Sequence, residues 1–86
     1  MSSYTIEITN AARRQLKKII RDDKKRILDK LEALAENPRP HGYKHLTDME
    51  NLFRVRVGDY RIIYEIENKV LLVIVLRIAK RNERTY

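Results

Sequence analysis

The sequence predicts an α+β domain in the order β-α-α-β-β-β, with an antiparallel-rich four-stranded sheet and a helical hairpin on one face. Three observations predict it. Between residues 12 and 35 apolar side chains recur every three or four positions, the spacing of helices that bury one side. From Leu52 the apolar period drops to two, as in a strand whose side chains alternate between faces. Gly58-Asp59 then interrupts the alternation with a pair suited to a two-residue hairpin turn.

Tyr4-Thr5-Ile6-Glu7-Ile8 alternates and carries β-branched residues, so it opens the chain as a strand. Thr9 or Asn10 can cap the first helix, whose stripe is Ala12, Leu16, Ile19 and Ile20. Asp22 and Asp23 mark a break and a new N-cap. The second helix carries Ile27, Leu28, Leu31, Leu34 and Ala35 at helical spacing, and Pro38 ends it by forcing Asn37 out of helical conformation. Asn37 to Gly42 reads as a loop. Leu52–Val57 and Tyr60–Ile66 read as hairpin strands, with a second turn at Asn68-Lys69. Val70 to Ile78 is almost unbroken in apolarity and is expected as a central strand buried on both faces. Lys80 to Tyr86 is a polar, loosely held tail. With no repeat, low-complexity tract or linker, residues 1–86 are expected to form one domain.

The composition narrows the function classes. A chain of 86 residues supports one core. It has no Cys, which removes disulfides and Cys-based zinc sites. Met1–Asn10 is too polar for a signal peptide, and the apolar run Val70–Leu76 is too short to span a bilayer, so a soluble, cytoplasmic protein without a membrane partner is expected. Nineteen Lys and Arg against twelve Asp and Glu give a net charge of +7, which points to a polyanionic partner. No phosphate-binding glycine loop, Ser/His/Asp set or magnesium-holding Asp cluster is present. His41 and His45 lie in a loop without a third ligand. Neither a metal nor a cofactor is expected.

The hairpin carries the main candidate site. With Val57 and Tyr60 flanking the turn, Arg56 faces Arg61, Val55 faces Ile62, Arg54 faces Ile63 and Phe53 faces Tyr64. Cross-strand partners share a face, so Phe53, Val55, Val57, Tyr60, Ile62 and Tyr64 meet the helices while Arg54, Arg56 and Arg61 gather on the other side. Like charges directly opposite one another destabilise a sheet. A solvated face that discourages edge pairing and a phosphate-binding site both fit the pattern, and the facing Arg56–Arg61 pair favours the site. The tail adds Lys80, Arg81 and Arg84 against Glu83.

The block LFRVRVGDYRIIYEI (52–66), followed by an apolar strand and the ending RIAKRNERTY (77–86), resembles the RelE/ParE toxin superfamily, and in its tail the RelE-type messenger RNA interferases. The resemblance covers nearly the whole chain. It implies a RelE-like fold and the toxin of a type II toxin–antitoxin system, neutralised by a RelB-like antitoxin through which alone it would reach operator DNA. It implies a ribosome-dependent endoribonuclease that cuts messenger RNA in the A site by attack of a 2′-hydroxyl on the adjacent phosphate. Residue by residue, it assigns catalysis to Arg61, Arg81 and Tyr86, with Arg54, Arg56, Lys80 and Arg84 binding RNA. Positions 54 and 56 hold lysine in the best-known relatives. No histidine is expected near these groups. The alternatives are a ParE-type toxin that inhibits DNA gyrase and a catalytically inactive RNA-binding member.

Overall fold

In the computed structural model, residues 3–46 and 51–80 are described. Strand β1 (Thr5–Ile8) leads into helix α1 (Asn10–Lys17) and helix α2 (Arg21–Glu36). Strands β2 (Lys44–His45), β3 (Leu52–Val57), β4 (Tyr60–Glu67) and β5 (Leu72–Lys80) follow, with a 3-10 turn at Asn68–Val70. The sheet order is β1-β5-β4-β3-β2; β1 runs parallel to β5 and every other pair is antiparallel. This is the predicted α+β class. The sheet has five strands rather than four, because the loop after α2 contributes the two-residue β2, too short to carry a period.

Thr9 caps α1: its side-chain oxygen accepts the Ala12 N–H at 3.2 Å, satisfying a donor that the first helical turn leaves unpaired. Helix α2 begins earlier than expected. Arg21 is its first residue, Ile20 stands at the N-cap without a side-chain bond, and Asp22 and Asp23 lie inside the first turn. Two carboxylates there favour the positive end of the helix dipole, so the acids support the helix without capping it. Pro38 has the expected effect: α2 stops at Glu36 and Asn37 is extended (φ −147°, ψ 97°).

Both helices cover one face of the sheet. The core beneath them holds Ala12, Leu16, Ile27, Leu31 and Leu34 against Val55, Ile62, Tyr64, Ile66, Val73 and Val75. Burying each large aliphatic side chain contributes roughly 1.5–3 kcal/mol. Ile20 and Leu28, expected in the stripes, are exposed. Val70 also departs from expectation. It lies in the 3-10 turn, 68% exposed, and Leu71 beside it takes a left-handed φ of 52° before β5 begins. Strand β5 is buried fully on its helix side and only partly on the other over Leu72–Val75. At the hairpin turn Gly58 has φ 57°, a conformation that glycine adopts without a Cβ clash.

Candidate nucleic-acid interface

The helix-free face of the sheet collects the cations. The β3–β4 register pairs Arg56 with Arg61, Arg54 with Ile63 and Val57 with Tyr60, the alignment that a two-residue turn imposes. Two rows therefore cross the strands on this face. One runs Lys44–Arg54–Ile63–Arg77 and the other Arg56–Arg61–Ala79. Adjacent strands lie about 4.8 Å apart, so Arg54 and Arg77 flank Ile63 with their backbones roughly 10 Å apart. Ile63 and Ala79 are buried between the charges, which gives the cations an apolar floor. Arg61 is half-buried, with its Nε shut away from solvent.

Arg77 reaches this face only because β5 is irregular. Tyr64 pairs with Val75 but Ile63 pairs with Arg77, so Leu76 is an extra residue. Val75 packs in the core; a regular strand would turn residue 77 the same way and bury its guanidinium. The bulge reverses the parity of the strand beyond it. It is held from the helix layer. The Thr9 hydroxyl donates to the Leu76 carbonyl at 3.1 Å, and Gln15 Oε1 accepts the Ile78 N–H at 2.7 Å. Strand β1 ends opposite Val75, so without α1 this stretch of β5 would be an open edge.

Electrostatics divide the same face. Among the described residues the ion pairs are Lys25–Asp29 and Arg26–Asp23, both on α2, and none involves Lys44, Arg54, Arg56 or Arg77. The carboxylates Glu7, Glu65 and Glu67 lie toward the opposite end of this face, and Glu65 and Glu67 engage each other. Glu65 is held above the ordinary carboxylate range, first by a hydrogen bond with Glu67, then by partial loss of water and the Glu67 charge. Among the described residues no ion pair neutralises Arg54, Arg56 or Arg77, so their guanidinium groups can take up an anion.

A cleft of about 290 Å³ opens beside these rows, where β2 stops pairing with β3. Its walls include Lys30 of α2, His41 and Gly42 of the preceding turn, Lys44 of β2, and Arg54 and Arg56. The sequence predicted no histidine near the arginines. His41 lines their cleft because three segments distant in the chain meet there.

Of the residues singled out from sequence, Arg54, Arg56 and Arg61 come together. Lys80 does not join them. It ends β5 rather than starting a loose tail, and it pairs with Tyr60, whose side chain faces the helices. Arg81, Arg84 and Tyr86 lie outside the described residues. Sequence reasoning missed Lys30, His41, Lys44 and Arg77. Only Arg77 left a signal, as the one charge within an otherwise apolar run.

Comparison with known proteins adds family and fold. Residues 6–85 match the family model described as the ParE toxin of type II toxin–antitoxin system, parDE. No curated protein matches the chain. Among solved structures, the archaeal RelE–RelB complex from Pyrococcus horikoshii OT3 is similar at 24% identity, with 94% of this chain and 98% of that chain covered and a TM-score of 0.84. The Mycobacterium tuberculosis toxin–antitoxin complex RelBE2 is similar at 28% identity, with 92% and 99% covered and a TM-score of 0.79. The isolated Escherichia coli RelE toxin shares the fold at 20% identity, with 96% and 89% covered and a TM-score of 0.82. A sheet face rich in arginine and a family match across nearly the whole length lead to one conclusion: the chain belongs to the ParE toxin family of type II toxin–antitoxin systems, within the RelE/ParE superfamily.

Proposed function

We propose that this type II toxin is a ribosome-dependent endoribonuclease that cuts messenger RNA in the A site and is silenced by a cognate, RelB-like antitoxin. The observation that carries the reading is Arg56 directly opposite Arg61 on the helix-free face, with Arg54 and Arg77 one row away. Mutual repulsion is tolerable there when a phosphate sits between the guanidinium groups, each able to donate two parallel N–H bonds to its oxygens.

The reaction this face suits is internal transfer at phosphorus. The RNA 2′-oxygen attacks the adjacent phosphate while its proton passes to a base. The bond to the 5′-oxygen breaks, that oxygen takes up a proton, and a cyclic phosphate and a 5′-hydroxyl remain. Arg54, Arg56 and Arg61 would stabilise charge on the phosphorane, the kind of contribution that is usually largest in catalysis. Arg81 would act by charge, since arginine keeps its proton; Tyr86 would take part in proton transfer. The ribosome would supply alignment of the RNA, so free transcripts should be cut poorly. The cytoplasm is where this substrate and this activity meet.

Support for the antitoxin comes from the similar Pyrococcus and Mycobacterium proteins, each solved as a toxin–antitoxin complex. A second reading, inhibition of DNA gyrase without RNA cleavage, is favoured by the ParE description of the matching family model. Primer extension on ribosome-bound messenger RNA separates the two. A-site scissions made by the wild type and lost in Arg61→Gln support the nuclease. Intact message together with blocked supercoiling by purified gyrase supports the alternative.

A further inference from the structure

We propose that His41 is the group that accepts the proton of the attacking 2′-hydroxyl, and that the cleft it lines seats the nucleotide carrying that hydroxyl. The proposal rests on the ribonuclease reading above and names the base which that reading leaves open.

The imidazole is held on a fixed turn. Pro40 O accepts the Tyr43 N–H at 3.1 Å, which closes a four-residue turn with His41 and Gly42 at its centre. Gly42 has φ +90°, as the third position of a type II turn requires, and a Cβ there would meet no atom within 4 Å. Tyr43 anchors the exit, its ring centroid 5.8 Å from that of Phe53 on β3. His41 is thus carried at a rigid corner beside the strand that bears Arg54 and Arg56. Those two arginines belong both to the phosphate face and to the cleft.

The surroundings suit proton transfer at an anion. Among the described residues the charged groups that line the cleft with His41 are Lys30 from α2, Lys44 from β2, and Arg54 and Arg56 from β3, with no carboxylate beside them. Among the described residues the imidazole makes no hydrogen bond or ion pair, so both nitrogens are available to a ligand. At about 290 Å³ the space is at the lower end for small-ligand sites, on the scale of one nucleotide. Imidazole is the side chain best matched to accepting a proton near neutrality, whereas a phenol keeps its proton there. In the balanced step one imidazole nitrogen takes the 2′-hydroxyl proton and the 2′-oxygen bonds to phosphorus. The P–O5′ bond breaks, and the 5′-oxygen takes up a proton from water.

Single-turnover cleavage of ribosome-bound messenger RNA by the full chain tests this, with His41→Gln, His41→Ala and Arg61→Gln beside the wild type. His41 is exposed, so its variants should fold, and circular dichroism checks that they do. The expected result is a rate at saturating substrate about 10²-fold lower for His41→Gln. The low-pH limb of the rate profile should vanish, and added imidazole should partly restore His41→Ala. Cleavage lost in Arg61→Gln but unchanged in His41→Gln overturns this inference and leaves the nuclease reading standing. So does a His41→Gln defect confined to KM, or one that imidazole does not rescue. A wild type that cuts nothing removes both.

Discussion

Arg56 and Arg61 are direct cross-strand neighbours on the helix-free sheet face, one residue pair from the hairpin turn. Folding alone does not ask for this pairing, since like charges at opposed positions weaken a ladder by a few tenths of a kcal/mol. Arg56→Thr should therefore stabilise the protein by about 0.5 kcal/mol, a rise in Tm of about 3 °C for a domain of this size. The same change should remove growth arrest when the toxin is expressed without an antitoxin. Thermal unfolding and a plating assay on one variant check both halves. A variant that is less stable and equally toxic would mean that the pair serves the fold.

Arg77 should contribute one phosphate contact. Each phosphate neutralised on single-stranded RNA adds about 0.7 to the slope of log affinity against log salt. Arg77→Gln should lower that slope by about this amount for a short, uncleavable RNA. Lys69→Gln, the same charge change in the 3-10 turn at the opposite end of the sheet, should leave the slope nearly unchanged. Equal effects from both variants would reduce Arg77 to a share of the general positive field.

Tyr64 ties the loop after α2 to the core. Its hydroxyl donates to the Pro38 carbonyl at 2.7 Å within a fully buried setting. Removing the donor leaves that carbonyl unpaired, so Tyr64→Phe should cost about 1–2 kcal/mol in denaturant titrations near neutrality. Burial pushes the phenol up to about 12; the neighbouring Tyr43 adds to the rise and Arg39 opposes it. A raised acid favours the folded state while protonated. Its contribution is complete below the unfolded value near 10 and is lost as pH climbs toward 12. Wild type should lose stability across that window more steeply than Tyr64→Phe. Parallel curves would place the titration elsewhere.

How much was legible in the sequence depends on how far each feature reaches along the chain. The hairpin register was readable because Gly58-Asp59 fixes it locally, and the register sets which face each residue of 52–66 takes. The helices were readable from their stripes, although Ile20 and Leu28 fell outside the buried arc. Strand β2 was not, since two residues have no period. Arg77 was hidden by the bulge: counting by twos from Val73 puts it inside, and only the extra Leu76 turns it out. The company of His41 was hidden most completely. Lys30, His41 and Arg54 lie on different segments of the chain, and no local pattern announces that they line one cleft.

The bulge itself can be tested through Gln15, a helix residue on the far side of the sheet from the arginine rows. Its Oε1 accepts the Ile78 N–H at 2.7 Å, beyond the point where β1 stops covering β5. Gln15→Leu keeps the side chain's bulk and removes the acceptor, leaving a backbone donor unpaired at a cost of about 1–3 kcal/mol. Gln15→Glu keeps an acceptor oxygen and should retain most of the stability. Amide exchange at Ile78 should accelerate in Gln15→Leu and stay slow in Gln15→Glu. Because the bulge decides which face Arg77 takes, the leucine variant should also lose RNA affinity, although position 15 lies across the sheet from any RNA. Faster exchange at Ile78 with unchanged RNA binding would show that β5 keeps its parity without help from α1, and that the bulge is maintained by the cost of burying Arg77 alone.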